Sequence, residues 1–261
     1  MLLIDQLLAP GGLVATFQPI VRIVGSECRV EEVEGLVRGA AGTNAARSAV
    51  LFEYARRKRI EPQIDRACTA LVCRSAAPIA GRGIGLSINV HAATLARDAA
   101  FPEFLLAQAA EAGFPGDHVT VELVEHSSHW NREGALAAID RLRGAGVRIA
   151  LDDVGRGHSN IDLLLDVRPD VVKLDRYFVV GSSQCEMRRA VLASFRDMAA
   201  GLGAVVVAEG VETAEDLATV VEAGVVVVQG WYFGHPVASV ADAASPYGVR
   251  QLPAALARDP R

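Results

Sequence analysis

Cysteine is scarce in this chain. Four are spread over 261 residues (Cys28, Cys68, Cys73 and Cys185), and no two form a C-x-x-C pair. So thin a set argues against a disulfide framework or a structural zinc site and reads as reduced thiols. An excess of basic charge is also lacking. Lys and Arg number 26 against 31 Asp and Glu, a formal net charge of -5. That balance argues against a broad surface for DNA or RNA polymers, but leaves room for a pocket that takes phosphate groups. No apolar run reaches the length of a membrane span. The opening "MLLIDQLLAPGG" carries Asp5 inside its apolar run and has no basic n-region, so it is a poor signal peptide. There is no G-x-S-x-G elbow, which argues against serine hydrolase chemistry. "GRGIG" at 81–85 is not a dinucleotide fingerprint, since no G-x-G-x-x-G opens a helix there. Repeats, low-complexity segments and obvious linkers are missing too. The expectation is one cytoplasmic domain over 1–261, with a core at about 13–240 and a frayed tail at 245–261.

What is present is apolar and regularly punctuated. Hydrophobic residues make up 51% of the chain and charged residues 22%, a globular composition. Eight short β-branched runs occupy 13–24, 30–39, 83–90, 118–125, 146–153, 169–175, 203–210 and 224–230. The first two are separated by Gly25 and Ser26 and suit antiparallel neighbours. The later runs are apolar throughout, as parallel strands covered on both faces are. Helical periodicity appears at 45–58, 62–77, 102–112, 130–144, 184–202 and 213–223. In the last of these, Thr213 suits an N-cap with Asp216 answering it in a capping box, and Gly224 suits a left-handed C-terminal cap. Eight strands with intervening helices, in a chain near the ~250 residues such folds need, predict an α/β (β/α)8 barrel. An open doubly wound sheet is the alternative.

The polar residues fall at the strand ends. In order they are Glu34 and Arg38, Asn89, Glu122 and Glu125, Asp152 and Asp153, Lys173 and Asp175, Glu209 and Glu212, and Gln229. In a barrel these ends converge on one face, where active sites are built. Taken singly, each has an ordinary explanation. Asn89 could cap the next helix, Asp152 and Asp153 could form a turn, and Glu209 and Glu212 could favour the helix that follows. Lys173 is harder to dismiss, because an ammonium inside "DVVKLD" needs an anionic partner. A zinc site at His126 and His129 has the spacing but lacks further ligands. Clustered carboxylates with an amide suit two hard divalent cations, Mg²⁺ or Mn²⁺, with Asp152 placed to bridge them and Lys173 to offset phosphate charge or orient water. The residues alone lead to metal-dependent phosphoester hydrolysis.

A set of ordered motifs carries this further. They are "QPIV" at 18–21, "EGLVR" at 34–38, "SINV" at 87–90, "ELVE" at 122–125, "DDVGRG" at 152–157, "DVVKLD" at 170–175, "AEGVET" at 208–213 and "QGWYF" at 229–233. With them the chain resembles EAL domains, the bacterial cyclic di-GMP phosphodiesterases. The resemblance implies a modified TIM-type (β/α)8 barrel with one antiparallel strand, and hydrolysis of cyclic di-GMP to linear pGpG. It implies that Glu34, Asn89, Glu122 and Asp152 hold one Mg²⁺ or Mn²⁺, and that Asp152, Asp153 and Glu209 hold the second. It further implies that Lys173 contacts the attacking water with Glu212 supporting it. Gln18, Arg38 and Gln229 would contact substrate, and Glu125 would anchor the loop after Asp153. A homodimer through elements near that loop is implied as well. The departures are Gly35 for the signature alanine, Gly39 for an aromatic, Val124 for a threonine, and Val154, Arg156 and His158 in and beside the loop. None removes an expected ligand. They motivate an alternative: a weak or inactive receptor that binds cyclic di-GMP or a protein partner.

Overall fold

A computed structural model describes residues 3–25, 27–43, 45–124, 131–155 and 161–245. In chain order the elements are α1 (Leu3–Leu8), β1 (Leu13–Val24), β2 (Glu27–Gly39), α2 (Ser48–Lys58), α3 (Glu61–Ala76), β3 (Gly85–His91), α4 (Ala92–Arg97), α5 (Phe101–Glu111), β4 (Val119–Val124), α6 (Arg132–Gly144), β5 (Arg148–Val154), α7 (Ile161–Val167), β6 (Val171–Leu174), α8 (Arg176–Val179), α9 (Glu186–Gly201), β7 (Val205–Ala208), α10 (Ala214–Glu222), β8 (Val227–Gln229) and α11 (Val240–Ala243). The strands close into a barrel in that same order. β1 runs antiparallel to both β2 and β8, and every other pairing is parallel. The tight β1–β2 connection, with Gly25 at φ 58, turns the chain back on itself and makes β1 the odd strand.

All eight predicted strands form, mostly with trimmed ends. Of the helices, the run expected from 45 starts only at Ser48. The five short helices α1, α4, α7, α8 and α11 are absent from the periodicity because four to seven residues are too few to show a 3.6-residue repeat. Longer helices follow their pattern. α6 buries Ala135, Ala138, Ile139 and Leu142, spaced i, i+3, i+4, i+7, against the strand ring. Thr213 caps α10 by accepting from the Asp216 N–H at 3.1 Å, and Gly224 takes φ +84. The capping box is only half made. The Asp216 carboxylate accepts from the N–H groups of Gly181 (2.9 Å) and Ser183 (3.0 Å), because the turn after α8 lies against this helix start. Among the described residues, no helix is long and apolar enough to cross a membrane.

Strand alternation sorts side chains into two bodies. Outward residues such as Val33, Leu86, Ile88, Val121, Leu151, Val172 and Val228 pack under the helices in the main core. Inward residues fill the barrel in tiers. Ile20, Ala150, Val171, Val207 and Val227 make an apolar middle layer. Below it lie Arg22, Glu32, Thr120 and Arg148, toward the N-terminal ends of the parallel strands. Above it lies the tier considered next.

Candidate metal centre

Lys173 is 1% exposed and is the hub of the upper tier. Val172 and Leu174 point outward into the core, so alternation along β6 turns Lys173 inward. Its Nζ lies 2.6 Å from Glu122 Oε2, 2.8 Å from Glu209 Oε1, 3.4 Å from Glu34 Oε2 and 3.5 Å from Asp152 Oδ1. β2, β4, β5 and the end of β7 thus each deliver one carboxylate to a single ammonium. Burial works against the lysine's charge, but Asp152, Glu122, Glu209 and Glu34 outweigh it and hold the pKa well above the ordinary value. Among these carboxylates the lysine is held as a cation and a hydrogen-bond donor.

The carboxylates differ in their surroundings. Burial pushes Glu34 up, yet Lys173 and hydrogen bonds from Asn89 and Gln229 more than compensate and hold it below the usual range. Asn89 Nδ2 donates to Glu34 Oε1 and Gln229 Nε2 to Glu34 Oε2, both at 2.7 Å. With its amide nitrogen so engaged, Asn89 has its oxygen left as the ligating atom. Its alternative as a helix cap is not taken, since His91 stands at the start of α4. Glu122 is fully buried, and burial together with the Glu34 charge drives its pKa well up. Burial raises Glu209 to about 8. Burial and then the Asp152 charge raise Asp153 to about 6.

The adjacent pair at the end of β5 rests on a local distortion. The β5–β6 register shifts between Leu151 and Val154, and Asp153 sits at φ 51 in the left-handed region. Asp can adopt that conformation at modest cost. A regular strand would turn Asp152 and Asp153 to opposite faces; the bulge brings both to the mouth. Oxygens of Asp152, Asp153 and Glu209 lie within 4.8 Å of one another. This all-oxygen set, beside Glu34, Asn89 and Glu122, fits hard divalent cations in donor chemistry and in its surplus of negative charge.

A cavity of about 300 Å³ opens over this tier, lined by Gln18, Asp153, Glu209, Glu212, Gln229 and Trp231 among others. Gln18 on β1 pairs in register with Glu34, and its Nε2 donates to the Gly234 carbonyl at 3.0 Å. Gln229 Nε2 also lies 3.4 Å from Gln18 Oε1. Arg38 is exposed near the end of β2. Glu212 pairs with Arg176 at 2.7 Å, and the Arg176 guanidinium lies 5.8 Å from the centre of the half-exposed Trp231 ring. Glu125, His126, His129, Arg156, Gly157 and His158 lie outside the described residues.

The two glycine departures in β2 have steric causes. A Cβ on Gly35 would come within 2.3 Å of Val72 Cγ1 on α3, and one on Gly39 within 2.7 Å of the Ala45 carbonyl oxygen. Val72 takes the space an alanine at 35 would use, and the segment before α2 lies directly on Gly39.

Sequence reasoning missed Ser87, Arg176 and Trp231. Ser87 was legible in one respect, since it precedes Asn89 by two in β3 and so shares its inward face. Trp231 lies inside the "QGWYF" motif but is not singled out by it, and nothing local marks Arg176; they reach the mouth from the segment after β8 and from the first residue of α8.

A family model described as EAL domain matches residues 4–236. The chain is 33% identical over 156 residues to the cyclic di-GMP phosphodiesterase RocR of Pseudomonas aeruginosa, covering 60% of this chain and 40% of that protein. Among solved structures, BlrP1 of Klebsiella pneumoniae in its manganese and cyclic di-GMP complex superposes with TM-score 0.76 and 27% identity, over 88% of this chain and 57% of that one. A standalone EAL protein from Vibrio cholerae O395, with cyclic di-GMP bound, gives TM-score 0.74 and 25% identity, over 87% of this chain and 93% of that one. The chain spans less than half the length of the curated relatives it matches.

Proposed function

The chain belongs to the EAL domain family, and from that premise we propose that it hydrolyses cyclic di-GMP to linear pGpG with the help of two divalent cations, Mg²⁺ or Mn²⁺. The observation that carries the proposal is the upper tier: four carboxylates within 3.5 Å of the one buried lysine, with Asp153 and Asn89 beside them. Glu34, Asn89, Glu122 and Asp152 would hold one cation, and Asp152, Asp153 and Glu209 the other. When bound, the cations would lower the pKa of a coordinated water and neutralise phosphoryl charge. Lys173, held ionised, would donate a hydrogen bond to the attacking water or the phosphoryl oxygen. Water adds to one phosphorus and the P–O3′ bond breaks, which leaves a 5′-phosphate on one nucleotide and a 3′-hydroxyl on the other. Gln18, Arg38 and Gln229 would contact the substrate across the mouth. Glu125 would anchor the loop after Asp153. Glu212, whose Oε1 pairs with Arg176, would support the water through its other oxygen.

The proposed unit is one domain over 1–261, working in the cytoplasm. A homodimer through elements near the β5 loop is part of the same reading, and Leu165 on α7, the helix after that loop, is an exposed apolar residue there. Incubation with cyclic di-GMP and Mn²⁺, with pGpG followed by chromatography, tests the activity. Turnover that disappears in Glu34→Ala and Asp152→Ala is the expected result. Tight binding without turnover would replace the enzyme with a receptor, and turnover surviving both substitutions would displace the site.

A further inference from the structure

β3 lies between the two strands that carry the deepest carboxylates, Glu34 on β2 and Glu122 on β4. Its inward face presents two donors, Ser87 and Asn89. In register, Ser87 stands opposite Glu34 and Asn89 opposite Glu122. The hydrogen bonds cross these pairings. Asn89 Nδ2 donates to Glu34 Oε1 at 2.7 Å, while Ser87 Oγ donates to Glu122 Oε1 at 2.5 Å. The stagger of strands around a closed barrel makes such diagonals the short contacts. Ser87 and Glu122 are both fully buried. Lys173 holds the other Glu122 oxygen, Oε2, at 2.6 Å. The glutamate side chain is thereby fixed at both oxygens, one by a neutral donor from the neighbouring strand and one by the ammonium.

We propose that Ser87 is a positioning residue for the metal centre: its hydroxyl sets the orientation of the Glu122 carboxylate and so raises the affinity for the first divalent cation. The inference rests on the reading of Glu122 as a ligand. Lys173 cannot perform this task alone. It is shared among four carboxylates, and a cation held by Glu122 would compete with it for that carboxylate. Ser87 is neutral and local, and its bond to Oε1 can persist while Oε2 changes partner. Outer partners that orient a ligating group commonly change metal affinity by ~10–100-fold. Ser87 also lines a cavity of about 100 Å³ that runs from this tier through the middle layer to the barrel floor. A methyl group added at 87 therefore has space, and a pair of equal-shaped substitutions becomes usable.

The test is Mn²⁺ binding to the whole chain without nucleotide, followed by calorimetry and by the electron paramagnetic resonance of free Mn²⁺, on wild type, Ser87→Ala, Ser87→Thr and Ser87→Val. Thr and Val have the same shape and differ in the hydroxyl. Ser87→Ala and Ser87→Val are expected to weaken the tighter Mn²⁺ site on the order of 10–100-fold. Ser87→Thr should stay within about threefold of wild type, a loss of about 0.7 kcal/mol at most. A purely structural role would move Thr and Val together. Equal Mn²⁺ affinity in Thr and Val, or wild-type affinity in Val, overturns the proposal and leaves the metal centre standing. A wild-type chain that takes up no Mn²⁺ overturns the metal reading itself, and this inference with it.

Discussion

At the floor of the barrel two arginines meet two glutamates; at its mouth one lysine meets four carboxylates. On the floor, Arg22 holds Glu31 through Nε at 2.5 Å and Nη2 at 3.0 Å. Arg148 bonds Glu32, which also accepts from Thr120 at 3.2 Å, and reaches Glu31 at 3.9 Å. The positive and negative charges match in number. At the mouth, Lys173 stands against Glu34, Glu122, Asp152 and Glu209, with Asp153 beside them. Buried like charges raise one another's pKa unless something neutralises them. The floor can be read as finished structure. The mouth holds a surplus of negative charge that added cations or protons would relieve, and this difference favours the mouth as the proposed site.

Four experiments would break or sharpen the contrast. The largest effect belongs to Lys173→Met, which removes the buried cation that the four carboxylates share. Cyclic di-GMP turnover is expected to fall on the order of 10²–10³-fold, as when a fixed donor to a transition state is lost. Wild-type turnover in that variant would reduce the lysine to a charge balance.

Next comes the response to Mn²⁺ and pH. At a hundredfold excess over its dissociation constant, a cation that binds only the folded chain stabilises it by about 2.7 kcal/mol. In the cation-free chain, burial raises Glu209 to about 8 and, with the Asp152 charge, Asp153 to about 6. The folded state therefore holds protons that the unfolded state has already released. The contribution of these two groups is fully present below their unfolded values and is lost as pH rises through about 6 and then about 8. The cation-free melting temperature should accordingly drop between pH 5 and 9, and saturating Mn²⁺ should flatten that drop. Parallel curves with and without Mn²⁺ would disconnect both groups from the cations.

At the floor, Arg148→Met strands Glu32, which burial already pushes up and which Arg148 partly restrains. Unfolding stability should fall by about 1–3 kcal/mol. Turnover per folded molecule should remain within about twofold, and a loss comparable to that of Lys173→Met would erase the distinction between the two ends. The smallest effect sits outside the barrel. Gly35→Ala forces a Cβ against Val72, and Val72→Ala leaves a gap. Each alone should destabilise, and the double variant should recover on the order of 1 kcal/mol of their sum in denaturant unfolding. Strict additivity would mean that the close approach at Gly35 carries no energy.

Much of this molecule is written locally. β3, β4 and β6 are buried along nearly their whole length, and parallel strands covered on both faces leave continuous apolar runs that can be read without knowing their neighbours. The same alternation that buries Val172 and Leu174 outward sends Lys173 inward, so a lone lysine in such a run already signalled a charged interior. The two ends of α10 were legible in Thr213 and Gly224, because caps depend on a few adjacent residues. Where Asp216 would spend its carboxylate was not, since its partners lie more than thirty residues earlier in the chain.

The sequence by itself determined the eight strands, the polar residues at their ends and the surplus of acid among them, because those follow from residue type and a two-residue period. Only the tertiary structure decided how they meet. The β1–β2 hairpin, expected from the sequence, sets Gln18 beside Glu34, and closure against β8 brought Gln229 to both. Strand stagger gave Ser87 to Glu122 and Asn89 to Glu34 rather than the reverse. Loop packing gave Glu212 to Arg176. A hydrogen bond depends on separations of a few tenths of an ångström between atoms far apart in the chain, and those separations exist only once the barrel has closed.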